Sequence, residues 1–151
     1  MRRPLLLVLA LLPAACGPRG PAPPVPLDTA NEACRWCRMA VSDARFAAQL
    51  AAPGEEARFF DDIGCLRDFL RDGGALPPGT IAYVADHRTR AWVPAAAAVF
   101  TRVPSLETPM GSHLVAHADA ASRDADADAA GGAAVSAAEL FGPPGPPGGR
   151  P

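Results

Sequence analysis

The sequence predicts a small α+β domain in two similar parts, each a ββαβ unit, and three observations carry that prediction. Short apolar runs alternate with turn signals, two stretches between them carry the apolar stripe and end signals of helices, and the order of elements occurs twice. The 14 Gly and 18 Pro of the 151 residues collect at the flanks, GPRGPAPPVP at 17–26 and GPPGPPGGRP at 142–151. A middle of ordinary globular composition remains, residues 28–141, which the length prior reads as one domain. A chain of that size can bury a core but leaves no room for a separate cofactor domain.

The first element is a targeting segment. Arg2 and Arg3 precede an apolar run from Leu5 to Leu12 that is too short to span a bilayer, so residues 1–15 read as a signal peptide. The run closes in Pro13-Ala14-Ala15-Cys16-Gly17, similar to a bacterial lipobox, with Pro13 where Leu is usual and Leu12 one place further out. Cys16 is therefore the expected lipidation site, the alternative being ordinary cleavage that leaves it a spare thiol. Residues 16–27 are proline-rich and read as an extended tether.

In the first half, 45–51 (RFAAQLA) and 57–61 (ARFFD) flank Pro53-Gly54 as a hairpin. Asp61 or Asp62 can cap a helix from Ile63 to Arg71 that carries Ile63, Leu66, Phe69 and Leu70 on one face and stops at Gly73-Gly74. Residues 80–85 (TIAYVA) form the next strand, and Arg90–Val93 a strand that links the halves. In the second half, 97–103 and 113–117 are strands, Asp119 to Ala130 a helix ended by Gly131-Gly132, and 133–135 a short strand. A helical turn at 136–141 carries Leu140 and Phe141, and residues 142–151 are a disordered Gly/Pro tail.

Charge narrows the partners. All 14 cations are Arg; without Arg2 and Arg3, twelve stand against 16 carboxylates, about −4 for the mature chain. No basic stripe with interleaved aromatics is present, which argues against a nucleic-acid partner.

Chemistry-bearing residues fall in three places. Cys34-Arg35-Trp36-Cys37-Arg38-Met39 puts two thiols and a thioether within six residues, soft donors that suit Cu(I). A c-type haem site requires C-x-x-C-H, and Arg38 occupies the His position. A thiol-disulfide oxidoreductase using Cys34 and Cys37, a small structural disulfide between them, and a Cys₃His zinc site that recruits Cys65 all stay open. Thr108-Pro109-Met110-Gly111-Ser112-His113 forms the turn between the two strands of the second half, with Met110 and His113 as candidate ligands. Phe60-Asp61-Asp62-Ile63-Gly64-Cys65 opens the helix, where Cys65 reads equally as a ligand or as a buried thiol. Trp36 and Trp92 read as packing residues, His117 as a ligand of second choice on the same strand face as His113, and His87 as a solvated turn residue.

Together, the lipoprotein signal, C-x-x-C-x-M, FDDIGC, TPMGSH, the Ala-rich helix and the Glu139-Leu140-Phe141 end resemble the NosL family, accessory lipoproteins of nitrous oxide reductase maturation. The resemblance covers about residues 31–141. It implies two ββαβ halves and a non-catalytic, periplasm-facing protein, lipid-anchored to the cell membrane or outer membrane. It also implies that the protein holds Cu(I) for the copper centres of the reductase, with the reductase apoprotein or its maturation complex as partner. Cys37 and Met39 match the Cys and Met of the family's C-G-M element, Cys34 its preceding cysteine, and Met110 its P-M-G methionine. His113 is a further candidate, and Arg38 stands where the family usually has Gly. Pseudo-symmetry between the halves would then bring the two loops together into one shared site.

Overall fold

The computed structural model describes residues 20–73 and 75–142; the expected signal peptide, Cys16 and the tail beyond Gly142 lie outside the described residues. Strands β1 (Ala48–Ala51) and β2 (Arg58–Phe60) pair as an antiparallel hairpin, helix α1 (Ile63–Arg71) follows, and β3 (Ile81–Ala85) returns along the other edge of β1. Strand β4 (Trp92–Pro94) adds to β3, giving the sheet order β2-β1-β3-β4. In the second half β5 (Val99–Arg102) pairs with β6 (Leu114–His117), then come helix α2 (Ala120–Asp124) and a 3₁₀ turn (Ala127–Ala129), and β7 (Ala133–Val135) closes the sheet β6-β5-β7. Helix α3 (Ala137–Phe141) ends the fold. The order β6-β5-β7 repeats β2-β1-β3, with the first strand of each half at its centre. The fold is thus the α+β pair of ββαβ units that the sequence predicts.

Local chemistry explains α1. The Asp62 side chain accepts the Gly64 N–H at 2.6 Å, satisfying a donor with no partner inside the helix, and Gly73 turns the chain away with φ of +77°. The apolar stripe then points inward. Ile63 and Leu66 are buried with Phe60, Phe100, Leu114 and Leu140 in one cluster drawn from both halves. Truncating a phenylalanine such as Phe60 or Phe100 to Ala in such a core costs about 3–5 kcal/mol. A parallel bridge between Asp86 and Ala116 joins the two sheets directly.

Two segments depart from expectation. The helix expected over Asp119–Ala130 stops at Asp124, because Asp126 turns its side chain to the Asp128 N–H and to two imidazoles instead of continuing a helical face. The end of the tether is also docked on the domain: Gln49 exchanges two hydrogen bonds with the Val25 backbone, and the Tyr83 hydroxyl donates to the Ala22 carbonyl at 2.8 Å. No helix among the described residues is long and apolar enough to cross a membrane.

Candidate metal centre

The C-x-x-C-x-M segment is a closed turn. Ala33 and Ala40 pair across it, the Cys34 N–H donates to the Met39 carbonyl at 2.7 Å, and the Arg38 N–H donates to the Cys34 carbonyl at 3.0 Å. Reversal over so few residues forces Arg38 into the left-handed region at φ of 69°, where a side chain costs about 1–2 kcal/mol relative to glycine's freedom. The position therefore has the conformation that a glycine would favour, and this chain holds it with arginine. One further bond locates the turn: the Arg35 N–H donates to the Phe59 carbonyl at 2.8 Å, on the free edge of β2.

That bond assembles the site, because β2 runs directly into the start of α1. Asp61 and Cys65 arrive beside the turn, and one ligand atom from each of Cys34, Cys37, Asp61 and Cys65 lies within 4.8 Å of the others. Cys34, Asp61 and Cys65 are buried and Cys37 is half-buried. All three thiols are free, so the disulfide expected as one alternative is not formed. The Cys37 thiol lies 3.4 Å from both carboxylate oxygens of Asp61.

Electrostatics sorts the thiols. Cys34 is drawn down to about 6, chiefly by the Cys65 thiol donating to its sulfur, which outweighs burial. Burial pushes Cys37 up to about 11, with the neighbouring Cys34 and Asp61 adding to the rise. Cys65 is driven far above the usual thiol range by its bond to Cys34 first and by burial second. The cluster thus sets one thiol with a lowered pKa beside two raised thiols and the Asp61 side chain, donors that could hold a metal ion.

The second motif loop closes on the same helix start. Asp62 turns its Oδ2 to the Thr108 hydroxyl at 2.7 Å and to the Met110 N–H at 3.0 Å while its Oδ1 caps α1. Close approach requires Gly64: a Cβ there would stand 2.7 Å from the Cβ of Ser112. A cleft of about 220 Å³ opens between the two loops, lined by Trp36, Cys65, Met110 and His113 among others. His113 has one ring nitrogen engaged with the Leu106 carbonyl at 2.8 Å. Met39 is 57% exposed and Met110 45% exposed.

The structure thus brings Cys34 and Cys37 together, and Met110 and His113 line a cleft with Trp36 and Cys65. It adds Cys65, which the sequence left open, and Asp61, read from sequence only as a possible cap. The signal for both was their place at the start of a helix that follows a hairpin strand. Three expectations are corrected. Trp36 is exposed, because the tight turn points it outward. His87 is buried and not solvated, since Asp126 takes its Nδ1 at 2.7 Å. His117 bonds the same carboxylate at 2.8 Å and belongs to that separate cluster, since His113 lies in a left-handed bend ahead of β6.

The family model described as NosL matches residues 24–141. No curated protein and no solved structure matches the chain.

Proposed function

The chain belongs to the NosL family, and from that premise we propose that it is a lipid-anchored, periplasm-facing carrier of Cu(I), without catalytic turnover, that supplies the copper centres of nitrous oxide reductase. The observation that carries the reading is the cluster of Cys34, Cys37, Cys65 and Asp61 within 4.8 Å, whose Cys65 shares a cleft with the exposed thioether of Met110. Thiolate sulfur favours Cu(I) over harder ions. A carrier must also release its ion, and accessible donors at the rim allow a partner's ligands to enter one at a time. Of the five large apolar residues exposed among the described residues, Trp36, Met39 and Met110 all lie on the two motif loops. Such an apolar rim suits docking onto the reductase apoprotein or its maturation complex.

Two other readings stand beside it. Cys65 meets the geometric condition for a zinc site, as Cys₃Asp in place of Cys₃His. A thiol oxidoreductase is less well supported: Cys34, the low-pKa thiol, is fully buried, whereas exchange needs an attacking sulfur that substrate can reach. The deciding experiment incubates the Cu(I)-loaded chain with apo-reductase under anaerobic conditions, re-isolates the reductase, oxidises it with ferricyanide and records its copper content and spectrum. Copper in the reductase with the spectrum of its oxidised centres supports the carrier. Preferential Zn(II) retention without copper transfer favours zinc, and efficient insulin reduction by the metal-free chain favours the oxidoreductase.

A further inference from the structure

We propose that His87, His117 and Asp126 form a second metal site, for a borderline divalent cation of the Zn(II) or Cu(II) class, separate from the thiol cluster. The three residues come from three places in the chain: the turn after β3, the last residue of β6, and the cap of the 3₁₀ turn. They converge on one point. Asp126 Oδ2 lies 2.7 Å from His87 Nδ1 and 2.8 Å from His117 Nε2, and one donor atom from each residue falls within 4.8 Å of the others. Both imidazoles are buried, at 3% and 0% exposure.

The far side of each ring marks the cost of burying an imidazole here. His87 Nε2 and His117 Nδ1 are buried without a hydrogen-bond partner. Packing alone would be better served by an apolar residue at these positions, which leaves no polar atom stranded. Two neutral imidazoles and one carboxylate are, in contrast, a donor set that suits zinc and copper(II), and one unlike the soft sulfur set beside α1.

The fit needs little movement. Metal bonds of about 2.0–2.2 Å set neighbouring ligand atoms roughly 3.4 Å apart, so the contacts to Asp126 at 2.7 and 2.8 Å open by about 0.6–0.7 Å. Ligation uses the lone pair of the nitrogen facing Asp126 on each ring, so any proton held there moves to the far nitrogen or to solvent. Asp126 also lines a cleft of about 270 Å³ with Thr101, whose buried hydroxyl has no hydrogen-bond partner. A solvent oxygen entering there supplies a fourth ligand. Asp124 and Arg123 line the same cleft beside Asp126.

The test is a Co(II) titration of the purified full chain under reducing, anaerobic conditions, read by absorption. The proposal expects one Co(II) with ligand-field bands, over and above any Co(II) that the thiol cluster takes with sulfur-to-metal charge transfer, and that one weakened at least tenfold in His117→Val and in Asp126→Asn. Because either variant can fold poorly, wild-type imidazole resonances are followed in parallel during Zn(II) addition, and those of His87 and His117 should shift together. Co(II) bound only with charge-transfer bands, no Co(II) bound, or unshifted His87 and His117 resonances would overturn it.

Discussion

Asp62 accepts the Met110 backbone N–H at 3.0 Å, and this contact fastens the loop of the second half to the helix start of the first. The same carboxylate caps α1, so the position of Cys65 and the position of Met110 depend on one side chain. The two halves of the fold meet at the proposed copper site through it.

Asp62→Asn separates those duties. The amide oxygen retains the cap, which is worth about 1 kcal/mol, while the amide nitrogen faces the Met110 N–H in place of an acceptor. Thermal melts should show a modest loss of stability, and Cu(I) affinity should fall at least tenfold although no thiol has changed. Equal affinity in wild type and variant would mean that the Met110 loop does not contribute.

Gly64→Ala tests the close approach itself. Its Cβ meets the Ser112 Cβ at 2.7 Å, between backbone segments that cannot both yield, and overpacking of this kind costs about 1–3 kcal/mol. Chemical denaturation should report that loss, and the TPMGSH loop should be displaced outward. A variant as stable as wild type would show that the helix and loop are less tightly apposed.

Those two predictions rest on features with different legibility in the sequence. Helix α1 was readable to the residue, because Asp62 and Gly73 mark its ends and Ile63, Leu66, Phe69 and Leu70 space its stripe. The doubled ββαβ order was readable from turn signals and apolar runs. Convergence was not: nothing local in Cys65 or Asp61 says that Arg35 will hydrogen-bond Phe59 and lay the cysteine turn beside them. The break at Asp126 was hidden for the same reason, since its partners His87 and His117 are 39 and 9 residues away. Helical propensity over 119–130 lost to a tertiary bond network.

Proton competition should shape copper binding. The folded value of Cys34, about 6, lies below the ordinary thiol value of 9.0, so its ionisation stabilises the fold fully above pH 9. That contribution declines through the window below 9 and is gone once the pH has fallen past 6. Titration of the metal-free chain by far-ultraviolet thiolate absorbance should show one thiolate appearing near pH 6, absent in Cys34→Ser. Cu(I) affinity should weaken throughout as pH falls, because the raised Cys37 must also lose its proton, and more steeply below 6.

Asp86 is the acid-sensitive joint between the sheets. Burial raises its pKa, but hydrogen bonds from the Ala118 N–H, Ser122 and Thr89 prevail and hold it well below the ordinary 3.8. Its contribution is therefore complete above about pH 4 and disappears as pH falls through the depressed folded value. Asp86→Ala strands those donors and should cost about 3 kcal/mol or more at pH 7 by denaturant melts, since each unpaired buried donor costs about 1–3 kcal/mol. A loss confined to a few tenths of a kcal/mol would refute this role.

The shared Cu(I) site is tested most directly by anaerobic competition titration against a chromophoric chelator, run on wild type, Cys37→Ala and Met110→Ala. One Cu(I) per chain is expected in wild type, with affinity reduced at least tenfold in each variant, about 1.4 kcal/mol or more. Unchanged affinity in Met110→Ala would confine copper to the first half, and unchanged affinity in Cys37→Ala would contradict the cysteine turn as the seat of the metal.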